Sequence, residues 1–108
     1  MAPPTPLAYT GRVRYEWDSA KNALNRKKHG ISFEEVSSLF TAGSDWLDLA
    51  DEAHGVDEVR FRAIGPIARG VVVVVYVERD EDVLRIISAR LATAKERRLY
   101  ETWKESYL

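Results

Sequence analysis

An unbroken apolar run, Val71 to Val77 (VVVVVYV), limits the possible folds of this chain more than any other segment. Side chains that branch at Cβ favour extended structure. A strand that is apolar on both faces is typical of the centre of a sheet. The run is therefore predicted to be a central strand, either covered on both sides or keeping one face for a partner.

Alternating apolar and polar residues predict four further strands: VRYEW (13–17), DWLDL (45–49), EVRFRAIG (58–65) and VLRIISAR (83–90). Within the third of these, Arg60, Arg62 and Ile64 should face one way, because successive side chains of a strand alternate. Turn residues on either side of the valine run should join it to its neighbours as hairpins.

Capping residues mark three helices, which begin after Asp18, at the capping box SFEE (32–35) and at the capping box TAKE (93–96). In the first helix Ala20, Ala23 and Leu24 fall on one face. Gly30 and Gly43 are placed to end the first two helices.

The resulting order, β-α-α-β-β-β-β-α, predicts an α+β fold, an antiparallel sheet with helices packed mainly on one face. The opposite sheet face would then be open to a ligand or a partner.

The chain has 108 residues, a formal net charge of −1 and no cysteine. We expect a disordered leader at 1–11, which contains several prolines, and a single domain at 12–108. Neither a signal-peptide start nor a long apolar span is present, so a cytoplasmic protein is expected. Basic residues cluster before residue 31 and after residue 59, and these blocks would form a positive face if they converge. Solvated charge on exposed faces is the alternative.

No motif for a metal ion or a covalent nucleophile is present, since the two histidines lie 25 residues apart and there is no cysteine or phosphate loop. The remaining basic, aromatic and hydroxyl groups suit RNA cleavage, in which the ribose 2′-OH is itself the nucleophile. That reaction needs a proton acceptor, a proton donor and cationic stabilisation of the phosphate.

The candidates for the cationic role are arginines on or beside three predicted strands, namely Arg60, Arg62, Arg79, Arg85 and Arg90. Arginine binds phosphate through two parallel hydrogen bonds and stays charged. Arg90 differs from the others because it precedes a helix whose N-terminal amides also attract anions.

His29 and Tyr76 are the candidates for proton transfer. Each has a structural alternative, His29 as a helix-terminal residue favoured by the helix dipole and Tyr76 as a half-buried strand residue. A shift of one residue in strand register reverses every side chain. Whether Arg85 or Arg90 shares a sheet face with Tyr76 is therefore open.

Four segments together resemble the BrnT toxins of bacterial type II toxin–antitoxin systems: YEWDSAKNALNRKKHGISFEEVSSLF, RFRAIG, VVVVYVER and RIISARLATAKERRLYE. The resemblance extends over roughly Tyr15 to Glu101 and rests on the order and spacing of the four pieces. It implies a compact RelE-like fold and ribonuclease activity that inhibits translation and growth. It also implies a cognate antitoxin, BrnA, whose DNA-binding domain lets the complex repress its own operon.

The pattern of that family matches this chain at Trp17, Asp18, Lys28, His29, Gly30, Phe33, Glu34, Arg60, Gly65, Arg79, Arg85, Ser88, Ala89, Arg90, Glu96, Arg97, Arg98 and Tyr100. Two features depart from it. The chain is slightly acidic where RelE-like toxins are commonly basic, and the leader is additional.

These observations predict a metal-independent endoribonuclease toxin that needs no cofactor and is neutralised by a BrnA-type antitoxin. Its substrate would be RNA, either naked or on the ribosome. Operator DNA would be met only through the antitoxin, and no membrane is involved. The alternative is a catalytically inactive, toxin-like binding module that acts with an antitoxin in operon repression.

In the catalytic hypothesis, Arg60, Arg79 and Arg90 bind the scissile phosphate while His29 and Tyr76 transfer protons. The predicted RNA-binding residues, which would steer the substrate, are Lys28, Arg62 and Arg85. These roles follow from the chemistry of the side chains.

Overall fold

A computed structural model of the chain describes residues 14–41, 45–51, 59–79 and 83–107. Its elements are β1 (Arg14–Trp17), α1 (Ser19–His29), α2 (Phe33–Thr41), β2 (Leu47–Asp51), β3 (Arg60–Ile67), β4 (Gly70–Glu78), β5 (Val83–Leu91) and α3 (Ala94–Tyr107). The predicted element order and α+β class are confirmed. The predicted leader and the helix stop at Gly43 lie outside the described residues. None of the helices in these ranges is long and apolar enough to cross a membrane.

The predicted caps fix the ends of the first two helices. The Asp18 carboxylate accepts hydrogen bonds from the backbone N–H groups of Ala20 and Lys21, at 2.8 and 3.1 Å. Gly30 ends α1 in the left-handed region at φ 74°, which glycine adopts without a steric penalty. The Ser32 hydroxyl accepts from the N–H of Glu35 at 3.0 Å and begins α2.

The five strands lie in the order β1-β5-β4-β3-β2, with the valine strand β4 at the centre. β4 pairs antiparallel with β3 and β5, which confirms the two predicted hairpins, and β2 pairs antiparallel with β3. β1 departs from the predicted antiparallel sheet because it pairs parallel with β5. β1 and β5 are far apart in the chain and are not joined by a turn. The sequence therefore has no turn residues that indicate whether these two strands pair parallel or antiparallel.

Both faces of β4 are covered, which confirms the first of the two alternatives for the valine run. Val72 and Val74 belong to the larger core, on the sheet face that α2 covers and beside which α1 packs. We call this the helix face. On the other side Val73 packs with Ile64 and with Tyr100 of α3. α1 and α2 thus lie on one side of the sheet, as predicted, while α3 crosses part of the other side.

Two buried asparagines attach α1 to the rest of the fold. The side-chain amide of Asn25 donates to the carbonyl groups of Ala89 and Ile31 at 2.8 and 2.9 Å, and its oxygen accepts from the N–H of Ala89 at 3.1 Å. The Asn22 oxygen accepts from the N–H of Phe33 at 2.8 Å. β1 pairs with β5 only as far as Ile86. Beyond that point, the Asn25 side chain forms the hydrogen bonds with the Ala89 backbone that a neighbouring strand would otherwise form.

Replacing Asn25 by Ala should lower the free energy of unfolding by about 2–4 kcal/mol, because it removes the hydrogen-bond partner of three buried backbone groups. Urea titration of the purified protein measures this change. Lys27→Ala, an exposed substitution on the same helix, is the control and should change stability by less than about 0.5 kcal/mol. Equal urea midpoints for Asn25→Ala and the wild type would contradict the assigned role.

Candidate active site

A bulge in β5 places Arg85 and Arg90 on the same sheet face. In a regular strand, residues five positions apart point to opposite faces. Here Val75 pairs with Ser88 but Tyr76 pairs with Ile86, so Ile87 is an extra residue. Arg85 therefore lies opposite Val77 and Arg90 opposite Val73. Val73 lies on the side of the sheet opposite the helix face, and Val77 shares that side because it is four positions further along β4, so both arginines face away from the helix face.

Strand β3 adds two arginines to this face. Arg60 pairs with Val77 and Arg62 with Val75, while Ile64 pairs with Val73. The predicted alternation of these three β3 residues is confirmed. The arginines on either side of the valine strand define what we call the arginine face, namely Arg60, Arg62, Arg85 and Arg90. Arg90 lies opposite Val73, whereas Arg60 and Arg85 lie opposite Val77. These two rows of paired residues across the sheet are about 13 Å apart along the strand.

Helix α3 begins beside the arginine face, and its first turn is fixed by the predicted capping box. The backbone N–H of Glu96 donates to the Thr93 hydroxyl at 3.1 Å, and the N–H of Thr93 donates to the Glu96 carboxylate at 2.9 Å. Tyr100, one turn further along, is buried against Ile64 and Val73. The cap therefore holds the Glu96 carboxylate at the margin of the arginine face.

Glu96 connects arginines from both sides of β4. Arg90 donates through Nη1 and Nη2 to the two carboxylate oxygens at 2.7 and 2.9 Å, in a parallel bidentate pair. Arg62 approaches the same carboxylate from β3, with its Nη1 atom 3.9 Å from Oε2. The Glu96 side chain is only 16% exposed, whereas those of Arg62 and Arg90 are 35% and 38% exposed. Both guanidinium groups thus remain partly accessible to a ligand.

The pair with Arg90 determines the charge state of Glu96. Hydrogen bonding to Arg90, assisted by the Thr93 backbone and opposed by burial, lowers the pKa of the Glu96 carboxyl to about 2. The same hydrogen bonds raise the pKa of the Arg90 guanidinium. Both groups are therefore fully ionised at neutral pH.

Arg85 and Arg60 flank Val77 in the row farther from α3. Arg85 forms an ion pair with Glu16 of β1 at 2.9 Å, and this glutamate is 47% exposed. The Arg60 side chain is half-buried. Arg79 is exposed at the end of β4, where its backbone N–H donates to the Val83 carbonyl at 2.9 Å.

Tyr76 lies on the helix face, so the structure does not bring it together with the four arginines. Its side chain is buried and stacks on Phe61, and its hydroxyl donates to the Asp48 carboxylate at 2.8 Å. Burial and the contact with Asp48 raise the pKa of the Tyr76 hydroxyl far above its usual range. Neither Arg85 nor Arg90 shares a face with Tyr76, which resolves the register question.

Lys28 and His29 lie at a separate place, in the last turn of α1. They line an open pocket of about 150 Å³ between α1 and the outer edge of β5, together with Lys21, Leu24, Asn25, Ile87 and Ser88. Ser88 belongs to the same row of the sheet as Arg62. Of the first basic block, Lys21 and Lys28 therefore border the arginine face at the β5 edge, whereas Arg14 of β1 shares a sheet face with Glu16 and Arg85.

Sequence reasoning assigned no role in the site to Glu96, although it identified the capping box that contains this residue. The available signal was the short separation between Arg90, at the end of a strand, and an acidic residue in the first turn of the next helix. Within the described ranges, no group of three or more His, Cys, Asp or Glu residues is placed to hold a metal ion.

The lowered pKa of Glu96 predicts an acid-dependent loss of stability. The ordinary value of 4.5 falls to about 2 on folding, so the contribution is complete above pH 4.5 and disappears as the pH falls towards 2. We expect Glu96→Gln to destabilise the protein at pH 6 and progressively less at lower pH, as measured by urea unfolding. Glu101→Gln, the same change at an exposed position of α3, should show no such dependence. A pH-independent difference between Glu96→Gln and the wild type would contradict the ionised pair.

Comparison with known proteins identifies a matching family model and a similar solved structure. The family model described as "Ribonuclease toxin, BrnT, of type II toxin-antitoxin system" matches residues 17–96. The crystal structure of the Brucella abortus ribonuclease toxin BrnT superposes with a TM-score of 0.56 at 24% identity, covering 75% of this chain and 97% of that one, which shows a shared fold. A search of curated proteins gives no significant match. Since the family model spans most of the chain, the protein belongs to the BrnT family of ribonuclease toxins of type II toxin–antitoxin systems.

Proposed function

We propose that this protein is a metal-independent endoribonuclease that cleaves RNA on its arginine face and thereby inhibits translation and growth. The observation that carries the proposal is the convergence of Arg62 and Arg90, from strands on either side of β4, on the partly buried Glu96 carboxylate. Their partly exposed guanidinium groups present fixed positive charge at one point of an otherwise neutral protein.

The chemistry of RNA cleavage matches this arrangement. The 2′-OH attacks the neighbouring phosphorus, a cyclic phosphate forms and the 5′ oxygen leaves, so the protein need not supply a nucleophile. Negative charge grows on the phosphate oxygens in the transition state, and arginine forks that are already in place stabilise it. Arginine supplies this charge without a metal ion.

The other predicted residues have different positions relative to this centre. We propose that Arg60 and Arg85, which lie opposite Val77 on either side of β4, contact further phosphates of the same RNA strand. Lys28 remains the proposed steering residue, at the pocket beside β5, and His29 in that pocket remains the proton-transfer candidate. Arg79, at the hairpin end of β4, remains a candidate for phosphate binding. We do not include Tyr76, because the sheet separates its hydroxyl from the arginines.

The family relationship supports a protein antitoxin as partner. We propose a BrnA-type antitoxin that neutralises the toxin in the cytoplasm and carries the contact with operator DNA. Because Val73, Val74 and Val77 are buried within the chain itself, little of the valine strand is left for this partner to cover.

A binding module without catalysis is the second candidate. Arg85 and Arg90 both form ion pairs with carboxylates of the chain, which reduces the positive charge offered to RNA. This observation fits a subunit whose role is to hold an antitoxin during operon repression. Inducing the chain alone in cells separates the two functions, since a pure binding module should not arrest growth.

The decisive assay is cleavage of purified RNA in EDTA by the wild type and by Arg62→Ala and Arg90→Ala. We expect the wild type to cut and each variant to lose about 10²–10³-fold in rate, because each substitution removes a pre-oriented charge from the transition state. Arg62→Ala leaves the Arg90–Glu96 pair in place, so a lower cleavage rate in this variant cannot be attributed to breaking that pair.

Arg69→Ala is the matched control for these variants. Arg69 pairs with Glu35 of α2 and donates to the Gly30 carbonyl, so its contacts are with the helices that cover the helix face. Its replacement should therefore leave the cleavage rate unchanged. Cutting by Arg62→Ala and Arg90→Ala at the wild-type rate would refute a site on the arginine face. If the wild type arrests growth but does not cut naked RNA, cleavage depends on the ribosome. If it does neither, the binding module is favoured.

A further inference from the structure

We propose that Glu96 is a positioning residue for RNA cleavage, because its carboxylate fixes the guanidinium groups of Arg90 and Arg62 in the orientation that binds the scissile phosphate. This inference rests on the proposed ribonuclease function and adds a residue to its site. It assigns a role in activity to a side chain that would otherwise serve only as a helix cap.

A continuous chain of hydrogen bonds carries the argument. The Thr93 backbone N–H and the Arg90 fork bind the Glu96 carboxylate, while the backbone N–H of Glu96 is bound to the Thr93 hydroxyl. The Arg90 guanidinium is therefore tied to the first turn of α3, in addition to its 3.3 Å hydrogen bond from Nη1 to the Leu91 carbonyl. A long arginine side chain on a sheet surface otherwise samples many rotamers.

The pairing leaves part of each arginine for a ligand. A guanidinium has five N–H donors, and Glu96 accepts one from each terminal nitrogen of Arg90. The Arg62 guanidinium lies at 3.9 Å, near enough for attraction by the carboxylate but beyond a direct hydrogen bond. One partly buried anion thus holds two cations close together, which would otherwise repel each other.

Positioning fits the geometry better than proton transfer does. Arg90 and Thr93 occupy three of the four lone-pair sites of the carboxylate, and the Arg62 guanidinium lies 3.9 Å from Oε2. These donors also hold the pKa of Glu96 at about 2, far from the value near 7 that suits a general base. The carboxylate is thus suited to orienting cations and poorly suited to accepting a proton.

The test compares kcat and KM for RNA cleavage in Glu96→Gln, Arg90→Lys and the double variant. Glutamine retains the length of the side chain and can still form a capping box, but it cannot accept both bonds of the arginine fork. We expect Glu96→Gln to lower kcat about 10–100-fold through misorientation of the arginines. KM should not rise, because the substitution removes a negative charge from a phosphate site. Lysine cannot form the fork, so Glu96→Gln should cause little further loss in the Arg90→Lys background.

Two controls separate positioning from stability. Glu101→Gln makes the same chemical change at an exposed site on α3 and should leave kcat and KM unchanged. Asn22→Ala removes the acceptor of the buried Phe33 N–H, between α1 and α2 and outside the arginine face. It should lower Tm by about 4–8 °C while preserving kcat at a temperature where the protein is folded.

Three outcomes would overturn the role of Glu96 while leaving the ribonuclease proposal intact. They are a wild-type kcat in Glu96→Gln, independent losses in the double variant, and a Glu96→Gln defect that only follows the fraction of unfolded protein. A wild type that cuts neither naked nor ribosome-bound RNA refutes the ribonuclease proposal, and the positioning role with it. That result is distinct from equal cutting by the wild type and Glu96→Gln.

Discussion

One additional residue in β5, Ile87, determines which side of the sheet carries the arginines. Without the bulge at this position, Arg85 and Arg90 would point to opposite faces, and one of them would have to be accommodated in the apolar core. The bulge coincides with the end of the pairing between β1 and β5 at Ile86. Beyond Ile86, the Asn25 side chain forms hydrogen bonds with the backbone N–H and carbonyl groups of Ala89. The edge of the sheet, the attachment of α1 and the arginine face are therefore coupled through a few residues of one strand.

The arginine face explains how a protein with a net charge of −1 can present a concentrated positive charge. Arginines collect on one side of the sheet, while the acidic residues that balance them there, Glu16 and Glu96, approach from β1 and α3 at its margins. Each anion reduces the repulsion between the cations beside it and so stabilises their arrangement. Net charge therefore says little about whether such a protein binds RNA, and the local arrangement says more.

Sequence patterns predicted the features that depend on neighbouring residues. The alternation in β3 placed Arg60 and Arg62 on one face, and the Asp18 cap and the two capping boxes marked the helix starts. Features that depend on distant pairing were not predictable. The bulge at Ile87 and the parallel pairing of β1 leave no local signal, so the face of Arg85 relative to Tyr76 stayed open. Periodicity also placed Ala20, Ala23 and Leu24 on one face of α1, whereas the structure buries Asn22 and Asn25, because hydrogen bonding and not apolar contact attaches this helix.

The two ion pairs of the arginine face differ in exposure and in geometry, and so would differ in how an RNA phosphate could engage them under the proposed function. Glu16 meets Arg85 through one 2.9 Å contact and is 47% exposed, and exposed pairs of this kind contribute little free energy. In the proposed ribonuclease, an RNA phosphate would therefore replace Glu16 at small cost, which suits a residue that steers the substrate. Glu96 meets Arg90 through two contacts and is 16% exposed, so in the proposed ribonuclease a phosphate would bind beside that pair without displacing Glu96. Arg85 is thus suited to the exchange of phosphates along the strand, and Arg90 to holding one phosphate in a fixed orientation.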